Sequence, residues 1–577
     1  MRYIHILYTF LLGVAVLLFF GQAYPHHLHY QEQYQLFLFD STYVWDVVRL
    51  PGGIADLLGR FCTQFFLFAW VGALIIAILL LAIQLLTLRL VNSWTSQVSG
   101  WLYGLSFVPS FLLWLFLLDE NALLGGVWAV LLTLLAAWVF DSKRSNDQTT
   151  KRQNNLTSKR INAQMSIRSN PWTRRILLIV AVPVLYWMVG PVCVLFFLLQ
   201  ALCPKHDATS SLKSRISNLL GLFVLLAIML VVLAHYIPIP ADRLWTGIHY
   251  HRYPTVIPVL LWSACLSVFV FILLARICHH SYPSKATHGR ISRNPLTSGL
   301  SPLTSFIIVS AVMGWFVWNN GNFKAEKVMQ YDFMARHQQW NRILETVNAE
   351  KPNNQIGVTV QNLALAMRGM LVDHLFDYNQ NGIAGLLPDV QSDATSPLPT
   401  AEAFYQLGMI HVAQRTVFEA QEAILDFQKS ARCYKRLAQT NLIIGSYEVA
   451  RKYLMALQKT LFYSEWAEET LPLLGNEEAI ASHPEYGHLR QWAYKEDLTS
   501  GRVSSHSAVS SELDGSRLTG DFYFSDHVTP EMLESLFFSN TDNHLAYDYL
   551  RAYYLLTDDR EGYAKLLLYL QNAESEE

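Results

Sequence analysis

The feature that most constrains the fold of this chain is a change in character at about Asn320. Long apolar stretches separated by polar loops precede that point, and a polar tail with helix-like spacing of its apolar residues follows it. A helix needs about 20 apolar residues to cross a bilayer, a length that residues 61–83 and 216–234 reach. The sequence therefore predicts an all-α protein, with a polytopic membrane domain over residues 1–320 and a soluble helical domain over residues 321–577.

The amino-acid composition indicates which kinds of partner the chain can bind. Only 15% of the residues are charged, whereas soluble proteins contain about 25%. This deficit indicates that the apolar part of the chain is surrounded by lipid. The net charge of -2 gives no support for binding nucleic acid. The lipid bilayer is therefore a predicted partner, and nucleic acid is not.

Several apolar stretches predict membrane spans. The first is expected to stay in the mature protein, because its apolar run is longer than that of a usual signal peptide, and cleavage after residues 21–23 is the alternative. A further run, residues 176–203, is ambiguous, so we predict about eight or nine spans in all. The clear candidates are residues 4–22, 62–86, 102–118, 122–140, 216–234, 255–275 and 303–319.

The path of the ambiguous run decides on which side of the membrane the tail lies. Residues 176–203 are long for one crossing and short for two, and Gly190-Pro191 interrupts them. Short loops rich in Lys and Arg stay in the cytoplasm, which places the basic loop 142–175 inside. A hairpin that turns at Gly190-Pro191 keeps the later basic loops inside as well and makes the tail periplasmic in a bacterial inner membrane. A single kinked helix with a cytoplasmic tail is the alternative.

The tail has apolar residues at helical spacing, and helix pairs of about 34 residues recur loosely. Residues 435–462 are the best example, with Gly445 at the turn, and residues 401–423 and 544–570 are weaker copies. This pattern resembles the tetratricopeptide repeat, which implies a concave surface for a peptide or protein partner. Residues 498–520 are rich in Ser, Gly and Thr and predict a flexible insertion.

The first outer loop, residues 23–60, is too polar to span and rich in aromatic residues. Residues 46–59 predict short amphipathic helices, with a turn at residues 51–53. The loop contains an early acid, then aromatic residues, and then a glycine-containing segment that leads into the second span. This order resembles the GT-C class of membrane glycosyltransferases. That resemblance covers the first 70 residues and the general layout. The whole chain also resembles an uncharacterised bacterial family of polytopic inner-membrane proteins with a tetratricopeptide-like tail.

The GT-C resemblance implies a reaction at the outer membrane face. Enzymes of that class take sugars from polyprenyl-linked phosphate donors, with a loop carboxylate as base or as ligand of a divalent cation. By position, Glu32 matches the early loop acid and Asp40 is the second candidate. Transfer to a hydroxyl needs a proton acceptor or a bound cation, so a carboxylate is the appropriate group. The first loop lacks the DE or DD pair of the class, and no signature motif of a GT-C branch is present.

Other polar residues of the outer loops are candidates for completing such a site. Asp119, Glu120 or Asp242 could supply a further carboxylate. Basic groups bind phosphate through charge-assisted hydrogen bonds. The candidates for holding a diphosphate are Arg243, His249 and Arg252.

Simpler interpretations stand beside these. Glu32 and Asp40 are alternatively solvated loop acids, and His26, His27 and His29 are interpreted as interfacial residues rather than metal ligands, so no metal site is assigned. The alternative function is a non-catalytic scaffold whose tail organises an envelope protein complex. A transporter is disfavoured because the predicted spans contain almost no charged residues.

Overall fold

The computed structural model describes residues 2–94, 100–157, 171–202, 212–253, 255–280, 302–388, 396–425, 428–493 and 529–576. These residues form helices joined by turns and loops, which confirms the all-α prediction for the part of the chain described. The chain divides into two compact units. The first contains Met1–Glu32 and Asp40–Asn322, and the second contains Gln33–Phe39 and Phe323–Glu577.

The first unit contains fourteen described α-helices. Three short helices lie between the first two long ones, and two of them, Ser41–Val48 and Gly53–Thr63, overlap residues 46–59, where the amphipathic pattern predicted short helices. In chain order the helices are α1 (Arg2–Leu18), α2 (Pro25–Glu32), α3 (Ser41–Val48), α4 (Gly53–Thr63), α5 (Ala69–Trp94), α6 (Gly100–Leu105), α7 (Val108–Phe116), α8 (Leu124–Thr157), α9 (Pro171–Val189), α10 (Cys193–Leu202), α11 (Leu212–Tyr236), α12 (Ala241–Thr246), α13 (Val259–His280) and α14 (Pro302–Asn320).

Among the described residues, seven helical stretches are long and apolar enough to cross a membrane, and a shorter apolar one covers Leu102–Phe116. The second span begins at Ala69 rather than at the predicted residue 62, because α4 and a 3-10 turn take the preceding residues. The stretches are Ile6–Ala23, Ala69–Trp94, Leu124–Asp141, Ile176–Leu202, Ser217–Tyr236, Val259–Cys278 and Pro302–Asn320.

The predicted span 102–118 is two short helices rather than one. Proline lacks a backbone N–H and occupies the first turn of a helix without loss. Pro109 stands in the first turn of α7, so α6 ends before it at Leu105. The chain then continues through Phe107, which is buried.

Polar side chains inside the apolar part of this unit are bonded to one another. Gln84 on α5 is fully buried and accepts a hydrogen bond of 3.2 Å from Thr9 on α1. Its amide nitrogen donates to the Ser106 hydroxyl at 3.1 Å. Ser110 on α7 donates to the carbonyl oxygen of Leu80 at 2.7 Å. Such bonds orient neighbouring helices where no water is present to satisfy polar groups.

The apolar run 176–203 bends at Gly190, whose φ is +69°. The Tyr250 hydroxyl binds the Val189 carbonyl and accepts a bond of 3.4 Å from the Val192 amide. Beyond the break, the carbonyl of Leu202 accepts a hydrogen bond from Arg276, near the end of α13.

The start of α13 lies at the other end of that helix, close to Tyr250. Leu261 lies next to Gly126, and Leu123 donates its amide to the carbonyl of Tyr250 at 3.1 Å. Val189 therefore contacts Tyr250, in the segment before α13, and Leu202 contacts Arg276 near the end of α13. Ile176–Leu202 is one of the seven apolar stretches, and the hairpin path through it stays a prediction.

The second unit consists of the segment Gln33–Phe39 and fourteen described helices. The helices are α15 (Phe323–Arg336), α16 (Trp340–Glu350), α17 (Gln355–Met367), α18 (Leu371–His374), α19 (Pro397–Leu407), α20 (Ile410–Glu422), α21 (Ala431–Ile443), α22 (Tyr447–Leu457), α23 (Ser464–Thr470), α24 (Glu477–Ser482), α25 (Tyr486–Trp492), α26 (Thr529–Ser539), α27 (His544–Thr557) and α28 (Arg560–Glu576).

Caps explain several boundaries in this unit. Ser430 accepts a hydrogen bond from the Cys433 amide at 3.2 Å and so begins α21. Gly445 has a φ of +84° and joins α21 to α22, at the turn that the sequence pattern predicted. The helices form pairs, but the tetratricopeptide assignment is not confirmed. The predicted insertion at residues 498–520 lies outside the described residues.

One part of the sequence-based division needs correction. Residues 23–60 were expected to form a single outer loop of the membrane domain. Residues 33–39 instead belong to the second unit, while the residues on either side of them belong to the first. Seven residues with no helical or strand pattern of their own carry no signal for this in the sequence.

Candidate functional site

The loop between the first two spans folds as α2, α3 and α4. Gly52 has a φ of +80°, in the region that glycine adopts without strain, and it makes the predicted turn between α3 and α4. A Cβ atom on Gly53 would lie 2.3 Å from the carbonyl oxygen of Val47. Glycine at this position therefore lets α4 begin directly beside the end of α3.

Helix α4 contains a buried ion pair between Asp56 and Arg60, and His249 of the segment before α13 contacts that pair. The Arg60 guanidinium contacts Oδ2 of Asp56 through Nε at 2.9 Å and through a terminal nitrogen at 2.8 Å. The Nδ1 atom of His249 lies 3.4 Å from the same oxygen. Asp56 is fully buried, and Arg60 and His249 are nearly so. Contacts from two basic side chains to one carboxylate oxygen hold the Asp56 side chain in one orientation.

The neighbours of Arg60 stabilise the charged form of its guanidinium. Burial alone would lower the pKa of Arg60, but the neighbouring Asp56 carboxylate and Tyr43 raise that pKa above its ordinary value. Arg60 also donates to the Tyr43 hydroxyl at 3.5 Å. Burial raises the pKa of Tyr43, so its hydroxyl stays protonated at neutral pH.

A second polar contact joins the turn after α7 to the same segment. Nε2 of His251 lies 3.0 Å from the Asp119 carboxylate. The Arg252 amide donates to the carbonyl of Asn121 at 2.7 Å. Burial would raise the pKa of Asp119, but the hydrogen bond from His251 and the Asn121 amide lower it overall. Burial raises the pKa of the neighbouring Glu120.

Helix α2 contributes the third side of this region. The Gln31 amide donates to the carbonyl of Ala122 at 3.1 Å, and His27 binds the carbonyl of Leu117 through Nε2 at 2.9 Å. Arg252 donates to the Tyr30 hydroxyl at 3.4 Å. Helices α2 and α4, residues 117–123 and residues 249–253 therefore meet in one buried polar region, which we call the loop junction.

His27 is neutral in this environment. Burial lowers its pKa to about 4, against smaller opposing effects of the Leu117 carbonyl and Asp119. A carbonyl oxygen only accepts hydrogen bonds, so the imidazole donates its Nε2 proton to Leu117. The interpretation of His27 as a solvated interfacial residue is therefore wrong.

The predicted catalytic acids have different environments. Glu32 is the last residue of α2 and is 5% exposed, so the alternative that made it a solvated loop acid is wrong. Asp40 is half-buried and precedes the first residue of α3. Its carboxylate accepts a hydrogen bond from the Thr42 hydroxyl, which is a local contact at a helix start.

The predicted phosphate-binding residues also separate. His249 and Arg252 are buried in the loop junction, and Arg252 is 4% exposed. Arg243 is half-buried on α12, the helix whose Leu244 carbonyl accepts a bond from Tyr186. Asp242, beside it, is exposed.

No metal centre is visible among the residues that the structure describes, since they include no group of three or more His, Cys, Asp or Glu side chains placed to hold an ion. Sequence reasoning missed Arg60 and gave Asp56 no role. Their spacing of four residues on a predicted amphipathic helix was the available signal for an ion pair. Their burial depends on α8 and His249, which are distant in sequence.

Comparison with known families adds one result. The sequence pattern of DUF6057, described as a family of unknown function, matches residues 2–576. The chain belongs to this family. The DUF6057 match includes both compact units, so the membrane helices and the helical tail together form the family's architecture. No curated protein and no solved structure matches the chain.

Proposed function

We propose that this protein is a GT-C-like membrane glycosyl- or oligosaccharyltransferase that uses a polyprenyl-linked sugar donor at the outer face of a bacterial inner membrane. The observation that carries the proposal is the loop junction, where α2, which ends at Glu32, meets buried basic side chains of the segment 249–252. A transferase of this kind needs a carboxylate and basic groups close to the membrane surface.

The chemistry of the junction fits those requirements. Glu32 is the proposed base for the acceptor hydroxyl, because a buried carboxylate near its substrate accepts a proton readily. Arg252 and His249 are the proposed ligands of the donor phosphates, with Arg243 at the edge of the same loop. Asp40 is the second candidate acid. A divalent cation bound by the donor phosphates would add a Lewis acid.

The proposed side of the membrane for the tail rests on the position of residues 33–39. Residues 33–39 lie between the first two spans in sequence and form part of the compact unit that contains the tail. The tail and this loop must therefore occupy the same side of the membrane. With the predicted hairpin at Gly190-Pro191, the positive-inside rule makes that side the outer one. We therefore propose a periplasmic tail that contacts an acceptor or protein partner through its tetratricopeptide-like helix pairs.

The experiment is complementation of a deletion strain with Glu32→Gln. Lipid extracts are analysed by mass spectrometry for polyprenyl-linked sugars, and the amount of each variant in the membrane is measured in parallel. Asp46→Asn is the matched control, because Asp46 is an exposed acid of the same loop. The deletion strain should accumulate a lipid-linked sugar, Asp46→Asn should reverse this, and Glu32→Gln at normal abundance should not.

The scaffold alternative predicts a different outcome. It is favoured by the packing of loop residues 33–39 within the helical unit, which suits a protein that connects a membrane anchor to a binding surface. If Glu32→Gln and Asp40→Asn both restore the wild-type phenotype while changes on the tail surface abolish it, the transferase proposal is rejected and the scaffold is retained.

A further inference from the structure

Residues 33–39 pass through the helical unit in a way that resembles a bound peptide. They have no helix or strand assignment, and the five consecutive residues 33–37 are all buried. Residues 33 and 34 form a turn, and residues 35–39 have no regular structure. A peptide that lies on a flat surface leaves exposed the side chains that point away from that surface. Burial of all five residues therefore requires surroundings on more than one side.

The backbone of the segment is bound at two points. The amide of Leu36 donates to the carbonyl of Lys429 at 3.0 Å, directly before α21. The amide of Phe39 donates to the carbonyl of Lys459 at 2.7 Å, directly after α22. Backbone hydrogen bonds of this kind hold an extended peptide whatever its side chains are.

Side chains add selectivity for a leucine. Leu36 is buried in an apolar cluster whose other buried members are alanines and leucines, with partly buried aromatic side chains packed around them. Alanine side chains on α21 and α23 leave room between the helices, and the Leu36 side chain fills it. The buried members of this cluster besides Leu36 are Ala431, Ala438, Leu454, Leu457 and Ala467.

A polar contact selects the start of the segment. Arg432 on α21 donates to the side-chain oxygen of Gln33 at 3.0 Å. The guanidinium is oriented by Asp332, which it contacts through two nitrogens at 2.6 and 2.8 Å. Glu402 lies 3.5 Å from the same group. Arg432 is therefore preorganised to present a donor to an amide oxygen.

We infer that α21, α22 and α23 form a peptide-binding groove whose ligand is residues 33–39 of the same chain. The groove recognises a glutamine, a leucine three residues later and two backbone amides. The ligand is part of the sequence between the first two spans, so the helices of the tail bind a segment from the N-terminal part of the same chain. The inference does not depend on the proposed enzymatic activity.

The first test traps the interaction in the intact protein. Phe39 and Lys459 both have exposed side chains and share a backbone hydrogen bond, so Phe39→Cys with Lys459→Cys brings two accessible thiols together. Native membranes are treated with a short bifunctional thiosulfonate and the protein is digested after denaturation. Mass spectrometry should detect the linked 39–459 peptide pair, and neither single variant should yield it. Two labelled but unlinked thiols would overturn the inference.

The second test empties the groove. Leu36→Asp in the double-cysteine background should reduce the linked fraction at least tenfold, whereas the exposed Asp46→Asn in the same background should not. A fluorescent peptide of residues 31–41 should then bind the purified Leu36→Asp protein and not the wild type, in which the groove is filled. If both proteins bind the peptide equally, or neither binds it, the groove is not a peptide site and the inference is rejected.

Discussion

Arg432 donates a hydrogen bond of 3.0 Å to the side-chain oxygen of Gln33, which lies 399 positions earlier in the chain. The same guanidinium forms a two-point ion pair with Asp332, and Glu402 bridges Arg432 and Arg436. Burial would raise the pKa of Glu402, but the two arginines lower it overall. The helical unit thus contains a buried charge network that includes Gln33, a residue from the sequence between the first two spans.

The network makes a clear prediction for Arg432→Met. Without this arginine, less positive charge balances the buried carboxylates of Asp332 and Glu402. The loss of one partner from a buried ion pair costs about 3–5 kcal/mol of folding stability. The full chain in detergent should show a lower melting temperature by fluorescence. Arg451→Met is the control, because Arg451 forms an exposed contact with Glu448 and should change stability by less than about 1 kcal/mol. Equal effects of the two variants would contradict the network.

Asp56 and Arg60 should show the coupling expected of a buried pair. Asp56→Leu removes the carboxylate that faces the buried Arg60, and Arg60→Leu removes the closer of the two basic side chains that contact Asp56. Each should destabilise the membrane unit by about 3–5 kcal/mol. The double variant removes both charges and should be more stable than either single variant. Thermal unfolding in detergent measures all three, with the exposed Asp46→Asn as control. Additive losses would show that the two side chains do not interact.

Gly59 marks the closest approach of α4 to α8. A Cβ atom there would lie 2.5 Å from the Gly125 amide nitrogen, a backbone atom that cannot move away. Gly59→Ala should therefore destabilise the protein by about 1–3 kcal/mol through overpacking. Gly221→Ala on α11 is the matched control, since nothing lies within 4 Å of its Cβ position. The control should leave the melting temperature unchanged or raise it, because alanine favours helix.

Stability should depend on pH through His27. Its pKa is about 4 in the folded protein and about 6.5 when unfolded. Between these values the unfolded chain binds more protons, so the free energy of unfolding rises with pH and falls by about 3 kcal/mol between pH 7 and pH 4.

The comparison with His27→Gln isolates this contribution. Glutamine retains a donor for the Leu117 carbonyl and does not titrate. As the pH falls, the melting temperature of the wild type should therefore decrease more than that of His27→Gln. His374→Gln, at an exposed histidine, should follow the wild-type profile. Parallel profiles for wild type and His27→Gln would show that His27 takes up its proton without penalty.

Local patterns predicted much of the membrane unit. Apolar runs indicated the long helices because a helix in lipid satisfies its own backbone and needs only apolar side chains of sufficient number. Pro51, Gly52 and Gly53 predicted a turn because glycine adopts the conformation required there. The second span was placed seven residues early, since hydrophobicity alone does not separate α4 from α5.

The candidate site was predicted only as a set of residues. Glu32, His249 and Arg252 were named from their types and positions, and their types alone are compatible with a solvated loop. Burial depends on what packs over a residue, and the covering groups come from α2, the turn after α7 and the segment before α13. Asp56 and Arg60 gained their importance in the same way.

By itself the sequence determined an α-helical chain with an apolar first part and a polar, helical tail, because these properties follow from local hydrophobicity and helical periodicity. Only the tertiary structure decided that residues 33–39 belong with the tail and that α2, α4, residues 117–123 and residues 249–253 share one buried polar junction. Those outcomes rest on contacts such as that of Gln33 with Arg432. Pairings between such distant residues depend on how the helices are arranged in space. No local pattern of residue types encodes that arrangement.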